Sequence, residues 1–571
     1  MDKLKKIKKP LVKIVYLFFF AALFILWLIA LFHISNLWRG DSDSAFPVIA
    51  GRAVLHGNFL LHGYYLSSLV TYYPVDLYLN AAFIKIFGFG TVLIYIVPIF
   101  IFLALIVVAI IYVKERFNNK NDGPSLKIGI FMLFIFLALP VGAFAFFMLQ
   151  ELHGSTIVLS LITILLFSKF IKRKVGGYIY LFFGFVLLTI TLINDNLALV
   201  IAVIPLLAAL SVFYYADFKG RTAGETAGGI KKTSYLFAFL AVILAVASKK
   251  IIISIIRGSG GFRLAPIGLP IAFVRLKYLT KNIYFFFSAL FRLFEANFFG
   301  KNLLSVFTFL SMAKFIIIGT VFIFLFYKIA ARFLKKPTGE EGDRLNFNDF
   351  IDLTLLFGII FLSAAFLLSN IALSKASARY LAPVIVYGLI LAFRNIPAPV
   401  SKYYDRISFK IIGAVIIVVY TSSFIYAALT PIPKSPFRPL GKWLFKHNLT
   451  YGYGSYWDLG VITLMTKGKV KIRQVYAPYN KVTQYKWLSK TSWYKKKGFF
   501  VIYTKNFIYG NISKETIINT FGKPSQVYTE DFQGTIGKIY GGRAGKNSMP
   551  PYVIMVYKKG IRIDGRVYKR H

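Results

Sequence analysis

Long apolar runs dominate the first three quarters of the chain. They fall near 14–34, 91–113, 128–149, 155–170, 178–193, 197–215, 235–256, 303–333, 351–369, 380–394 and 409–430, each bounded by charge or by Gly and Pro, and they predict about eleven membrane-spanning helices. The stretch 75–89 is interrupted by Asp76, Asn80 and Lys85 and reads instead as an amphipathic helix lying in the membrane interface. Past residue 430 the period changes. Apolar segments shorten to strand length and alternate, as at 469–476, 499–503 and 552–557, with Gly, Pro and Asn turn signals between them, and 514–520 followed by Gly522 reads as a short helix and its stop. The expected fold is mainly α: a polytopic transmembrane bundle over 1–430, with interfacial helices in a long first loop (35–90), followed by a small α+β domain over 431–571.

Charge gives this threading a direction. The basic opening Met-Asp-Lys-Leu-Lys-Lys-Ile-Lys-Lys precedes an apolar run too long for a signal peptide, and no small-x-small cleavage site follows, so it reads as an uncleaved first span with a cytoplasmic N-terminus. Eleven spans then put the basic loops 114–127, 169–174, 219–232, 332–344 and 394–410 on the cytoplasmic side, whereas a twelfth span at 75–89 would turn all five outward. The first loop, the loops 257–302 and 370–379 and the 431–571 domain accordingly lie outside a plasma membrane. The formal net charge of +46 fits loops held against anionic lipid headgroups, and because the cations are dispersed between apolar spans, nucleic acid is not the expected partner. The chain has no Cys, which excludes disulfides, thiolate nucleophiles and Cys-ligated zinc.

On the predicted outer face the first loop reads Arg39-Gly40-Asp41-Ser42-Asp43-Ser44. In an extended segment both carboxylates point the same way, so they can share a divalent metal or divide the roles of base and orienting group. The same residues suit a helix N-cap, with Ser42 or Asp43 capping a helix that Pro47 begins, and spacing alone leaves both readings open. Glu151 and His153 follow the third span and Asp195 lies between the fifth and sixth, on the same predicted face, either as solvated headgroup neighbours or as parts of one site. Cations near that face are Lys249 and Lys250 within a span, Arg257, Arg263, and Arg379 beside Tyr380; a lysine in a span must snorkel or meet an anion, and a lipid phosphate is a fitting anion. His33, His56 and His62 show no H-E-x-x-H spacing. Walker A, G-x-G-x-x-G and G-x-S-x-G patterns are absent, so the energy for any reaction has to arrive with the substrate, as it does in a polyprenyl-phosphate sugar.

The pattern resembles the GT-C superfamily of membrane glycosyltransferases, particularly the branch of protein O-mannosyltransferases and lipid A aminoarabinose transferases. The likeness is carried by Asp43-Ser44-Ala45, Gly51-Arg52-Ala53 and Leu55-His56-Gly57-Asn58 in the first loop, by Tyr73-Pro74-Val75-Asp76-Leu77-Tyr78 and Phe87-Gly88, by Glu151-Leu152-His153 where the family more usually has aspartate, and by Arg379-Tyr380-Leu381-Ala382-Pro383. It covers about the first 215 residues closely and the rest by architecture. Asn194-Asp195-Asn196 stands where the branch often has Lys-Gly, which shifts donor-phosphate binding to Lys249, Arg257 or Arg379. The resemblance implies an inverting transfer of a sugar from a polyprenyl-phosphate donor to an extracytoplasmic glycan, lipid or protein. Asp43 is then the base, with Asp41 as the other candidate; Glu151 or His153 positions acceptor or metal; Arg52, His56, Asp195 and Tyr380 join the substrate site; a divalent metal, if used, falls to Asp41, Asp43 and Glu151. The aromatic, basic C-terminal region would hold the acceptor. A flippase or transporter of lipid-linked sugars is the reading from another class, and it lacks the internal repeats and mid-membrane acids that transporters use. A catalytically inert protein of the same fold is the third.

Overall fold

The structure is a computed structural model, and it describes residues 2–38, 40–117, 123–150, 153–172, 176–218, 232–265, 271–334, 345–372, 375–396, 406–504, 512–532 and 551–563. Glu151 and the middle parts of the five basic loops lie outside the described residues. Among the described residues, nine helices are long and apolar enough to cross a membrane, and a bent pair makes a tenth. Every apolar run of the sequence has a helix. The protein is a multi-pass membrane protein.

Two of the predicted spans differ from straight membrane helices. The third is broken, with an angle of 88° between Gly123–Ala138 and Gly142–Met148. Pro140 sits in the break and has no N–H to continue the ladder, and Gly142 takes a positive φ of 59° there. The fifth, Tyr178–Asn194, has only 17 residues. The stretch 75–89 forms the 13-residue helix Val75–Phe87, too short to cross, with Leu77, Ala81 and Ile84 buried and Ile86 and Phe87 exposed.

In chain order the helices are α1 (Asp2–Ser35), α2 (Ser42–Leu55), α3 (Val75–Phe87), α4 (Leu93–Arg116), α5 (Gly123–Leu133), α6 (Gly142–Met148), α7 (Gly154–Lys172), α8 (Tyr178–Asn194), α9 (Ile204–Phe218), α10 (Lys232–Gly258), α11 (Leu279–Leu293), α12 (Val306–Leu334), α13 (Phe347–Leu368), α14 (Ala382–Arg394) and α15 (Ile407–Leu429). Exposed Leu17, Phe18, Ile251, Ile255, Ile323 and Val418 coat α1, α10, α12 and α15, the surface that lipid solvates. At the far end of α14 from the site, fully buried Arg394 donates to Asp352 of α13 at 2.5 Å and to the Tyr112 carbonyl of α4 at 2.9 Å, tying three helices together. Buried charge survives there because every contact is made to an acceptor.

The C-terminal region is a mixed sheet, in keeping with its alternating pattern. Helix α16 (Phe437–Lys446) leads into β3 (Tyr451–Gly454), α17 (Tyr456–Met465), β4 (Lys471–Tyr476), β5 (Thr483–Gln484), β6 (Ser489–Lys490), β7 (Gly498–Thr504), α18 (Lys514–Phe521), β8 (Gln526–Glu530) and β9 (Tyr552–Ile561). Six strands are ordered β5-β4-β3-β7-β9-β8. Parallel β3 and β4 require a crossover, and α17 is that crossover. A second, three-stranded sheet joins distant parts of the chain: β1 (Tyr64–Ser67) of the first loop pairs with β2 (Arg263–Ala265) from the loop after α10 and with β6. The C-terminal region is thereby stitched onto the first loop.

Candidate active site

The first loop turns into α2 at Asp41. Its backbone is extended (φ −119°, ψ −173°), its carboxylate accepts from the Ser44 N–H at 2.9 Å, and the Ser44 hydroxyl accepts from the Asp41 N–H at 2.9 Å, a reciprocal cap. Two expectations are corrected here. The Asp-x-Asp segment is not extended, because the reciprocal cap starts a helix at Ser42; and the cap is Asp41 rather than Ser42 or Asp43, with Pro47 inside the helix rather than at its start. Asp43 stands in the first helical turn, where the helix dipole favours its charge.

Around the Asp43 carboxyl the fold gathers groups from four parts of the chain. The Tyr456 hydroxyl, at the start of α17, donates to Asp43 Oδ1. Burial lifts the Asp43 carboxyl to about 6, helped by the neighbouring Asp41 charge and opposed by the Tyr456 hydrogen bond, Arg379 and His153. Tyr456 is itself buried, and burial together with the Asp43 charge keeps its hydroxyl protonated far above the ordinary range, so it is a donor at any physiological pH. Arg379 donates to the Tyr380 hydroxyl at 3.2 Å, and the His153 ring lies 5.5 Å from the Tyr380 ring.

A second layer fixes His153. Its Nδ1 donates to Asp195 Oδ2 at 2.6 Å, and that carboxylate also accepts from the Thr156 hydroxyl at 3.1 Å and the Leu197 N–H at 2.9 Å. A carboxylate on one ring nitrogen sets the tautomer and orientation of the imidazole. The flanking amides clamp the first loop: the Asn194 carbonyl accepts from the Thr71 N–H at 2.8 Å, and Asn196 donates to the Leu69 carbonyl through its backbone and to the Ser68 carbonyl through its side chain, both at 2.9 Å. Lys249 donates to the Asn196 side-chain oxygen.

Beneath lies Asp76, buried at the start of α3. One oxygen accepts from Ser155 and from Asn194, each at 3.0 Å, while among the described residues neither its Oδ1 nor buried Asn194 Oδ1 has a hydrogen-bond partner. Burial raises this carboxyl to about 6 as well. The sequence places Asp76 in an interfacial helix and in a segment of the family resemblance, and nothing in its local pattern separates a buried acid from a solvated one.

Of the residues singled out from sequence, Asp41, Asp43, His153, Arg379 and Tyr380 come together, with Asp195 behind His153 and Lys249 held on the adjoining turn. Arg52 and His56 lie towards the other end of α2, about 14 Å and about 20 Å along its axis from Asp43 at the usual helical rise. There Arg52 sits over the Phe89 ring at 4.5 Å and His56 Nδ1 donates to the Arg52 carbonyl at 2.7 Å. Arg257 and Lys250 are exposed on α10. Tyr456 escaped sequence reasoning, since 413 residues separate it from Asp43. Among the described residues no three carboxylate or imidazole groups converge to hold a metal ion, and the Asp41 carboxylate is committed to its cap.

No protein-family model and no curated protein matches the sequence. Among solved structures the chain is similar to ArnT from Cupriavidus metallidurans bound to undecaprenyl phosphate, with a TM-score of 0.50 and 9% identity over 94% of this chain and 98% of that one. It is also similar to the Archaeoglobus fulgidus oligosaccharyltransferase in complex with Zn and sulfate, with a TM-score of 0.45 and 12% identity over 84% of this chain and 67% of that one. The fold is GT-C-like, and it is the first of these structures that carries the comparison.

Proposed function

We propose that this protein is a membrane glycosyltransferase that moves a sugar from a polyprenyl-phosphate donor to an extracytoplasmic acceptor with inversion at the anomeric carbon. The observation that carries the reading is the Asp43 carboxyl bonded by the Tyr456 hydroxyl within the field of Arg379 and His153, where burial raises it to about 6. Such a group is mostly ionised at neutral pH yet more basic than an ordinary carboxylate, which suits a general base. The likeness to a structure bound to undecaprenyl phosphate supports a donor of that class.

In the reaction the acceptor hydroxyl oxygen forms a bond to the anomeric carbon while its proton passes to Asp43. The bond from that carbon to the lipid-phosphate oxygen breaks, and the phosphate leaves with the electron pair. Arg379 and the Tyr380 hydroxyl stabilise the charge that builds on the leaving phosphate. His153, held by Asp195, orients the acceptor. Asp41 acts through the cap that sets the first turn of α2 and through its charge, which raises the basicity of Asp43.

The test uses the purified protein in lipid nanodiscs with radiolabelled polyprenyl-phosphate sugars, following release of the lipid phosphate. Asp43→Asn keeps the shape and can still accept from Tyr456, and it is expected to lower turnover by about 10²–10⁴. Undiminished turnover in a folded Asp43→Asn protein would end the assignment.

A further inference from the structure

The geometry points to an acceptor subsite for a carbohydrate chain, made of a row of aromatic rings that passes Asp43 and runs along the C-terminal sheet; the inference rests on the transferase reading above. The row is Trp457, Tyr456, Tyr485 and Tyr476. Successive ring centroids are 5.1, 5.5 and 5.4 Å apart, with interplanar angles of 75°, 60° and 61°, so neighbouring rings meet edge to face. The rings come from the first turn of α17, the residue after β5 and the last residue of β4, so the sheet's topology, not one local motif, lines them up.

The second ring of the row reaches the site itself. Tyr456 donates to Asp43, and Tyr485 lies within the field of that carboxylate. The row lies outside the core of the sheet, which is built from Tyr453, Val475, Val501 and Met555; Tyr456 is buried with Phe46, Tyr64 and Tyr72 of the first loop, Trp457 and Tyr485 pack against that cluster, and Trp457, Tyr485 and Tyr476 are only half-buried.

Half-buried aromatic rings with polar edges, leading to a tyrosine bonded to Asp43, match one ligand class. A pyranose presents an apolar C–H face to stack on and hydroxyls at its rim to meet the Tyr O–H groups, so a linear glycan can lay successive residues along successive rings and bring its terminal hydroxyl to Asp43. A peptide taken up by strand addition needs a long free edge, and the edge strand here, β5, has two residues. A lipid acceptor would need a continuous apolar groove, whereas three of the four rings carry hydroxyls.

The experiment titrates the full chain in detergent micelles with linear hexasaccharides of glucose, mannose and N-acetylglucosamine, read by calorimetry, with donor turnover measured separately. At least one hexasaccharide is expected to bind saturably. Tyr485→Ala and Tyr476→Ala should each weaken it about tenfold, and Tyr485→Phe should keep the ring and the affinity. Absence of binding at millimolar concentration, or parental affinity in both Ala variants, overturns the subsite even where Asp43-dependent donor turnover is intact. Ring-dependent binding without donor turnover upholds the subsite and overturns the transferase reading instead.

Discussion

At the scale of single residues, two acids displaced to about 6 carry opposite expectations. Asp43 works only when ionised, so the rate of transfer should fall roughly tenfold per pH unit below about 6 and level off above it. A pH profile of kcat/KM that stays flat between 5 and 7 would contradict its role as base. Asp76 touches no reacting group, and its effect is on stability. Its folded pKa lies above the unfolded value, so the neutral form is the one the fold prefers; stability is highest below about 4, declines as pH rises, and the full cost of ionising it is reached above about 6. Asp76→Asn can still accept from Ser155 and Asn194 without the charge. It should raise the unfolding free energy at pH 7.5 by up to roughly 3 kcal/mol and at pH 4.5 by only about 1 kcal/mol. Thermal melts of the two proteins at both pH values check this, and a destabilised Asn variant at pH 7.5 would show that the ionised carboxylate has a stabilising partner in the folded protein.

Elements meet here through missing side chains. Gly51, in the stretch that carries the family resemblance, lies where α2 crosses α3: a Cβ would sit 2.9 Å from both the Leu77 carbonyl and the Asn80 Cβ. Gly460 does the same for α17. Its N–H donates to the Ser42 hydroxyl at 3.0 Å, that hydroxyl donates to the Tyr456 carbonyl, and a Cβ at 460 would lie 2.5 Å from Ser42 Oγ and 3.0 Å from its Cβ. The start of α17 is thus locked to the start of α2, and this lock seats Tyr456 on Asp43. Gly460→Ala should part the two helices at a cost of about 1–3 kcal/mol, speed hydrogen exchange in 456–465 and reduce turnover. Exchange and turnover like those of the parent would mean that α17 tolerates the extra methyl and that the lock is looser than drawn.

For the whole molecule, a pinned bundle supports a site closed from above by a region distant in sequence. Arg394 secures one end of α14, and Arg379 stands just before its other end. The three-stranded sheet binds the C-terminal region to two loops at that end, so the site exists only when the full chain has assembled. This arrangement predicts that Lys446 shares the outer face with Asp43 and that Lys410 is cytoplasmic. The natural absence of Cys gives a clean background: Lys446→Cys should react with a membrane-impermeant maleimide on intact cells and Lys410→Cys only after permeabilisation. The reverse pattern would invert the topology and place the site inside.

Spans, the helix at 75–89 and the strands past 430 were legible because burial in lipid or against one face of a sheet imposes a local period, and local periods are written in neighbouring residues. The break at Pro140 was legible in principle, since a missing N–H is a covalent fact, yet a long apolar run conceals it. Asp43, His153, Arg379 and Tyr380 could be named from their types and their places at span ends. The sequence could not decide between cap and extended pair at Asp41-Ser42-Asp43, because only the fold around Ser44 settles which hydrogen bonds the backbone makes. Nor could it assign Tyr456 to Asp43, or tell buried Asp76 from the exposed ends of the same helix. Those depend on contacts between segments hundreds of residues apart, and on desolvation, which belongs to the packed surroundings of a group rather than to the group itself.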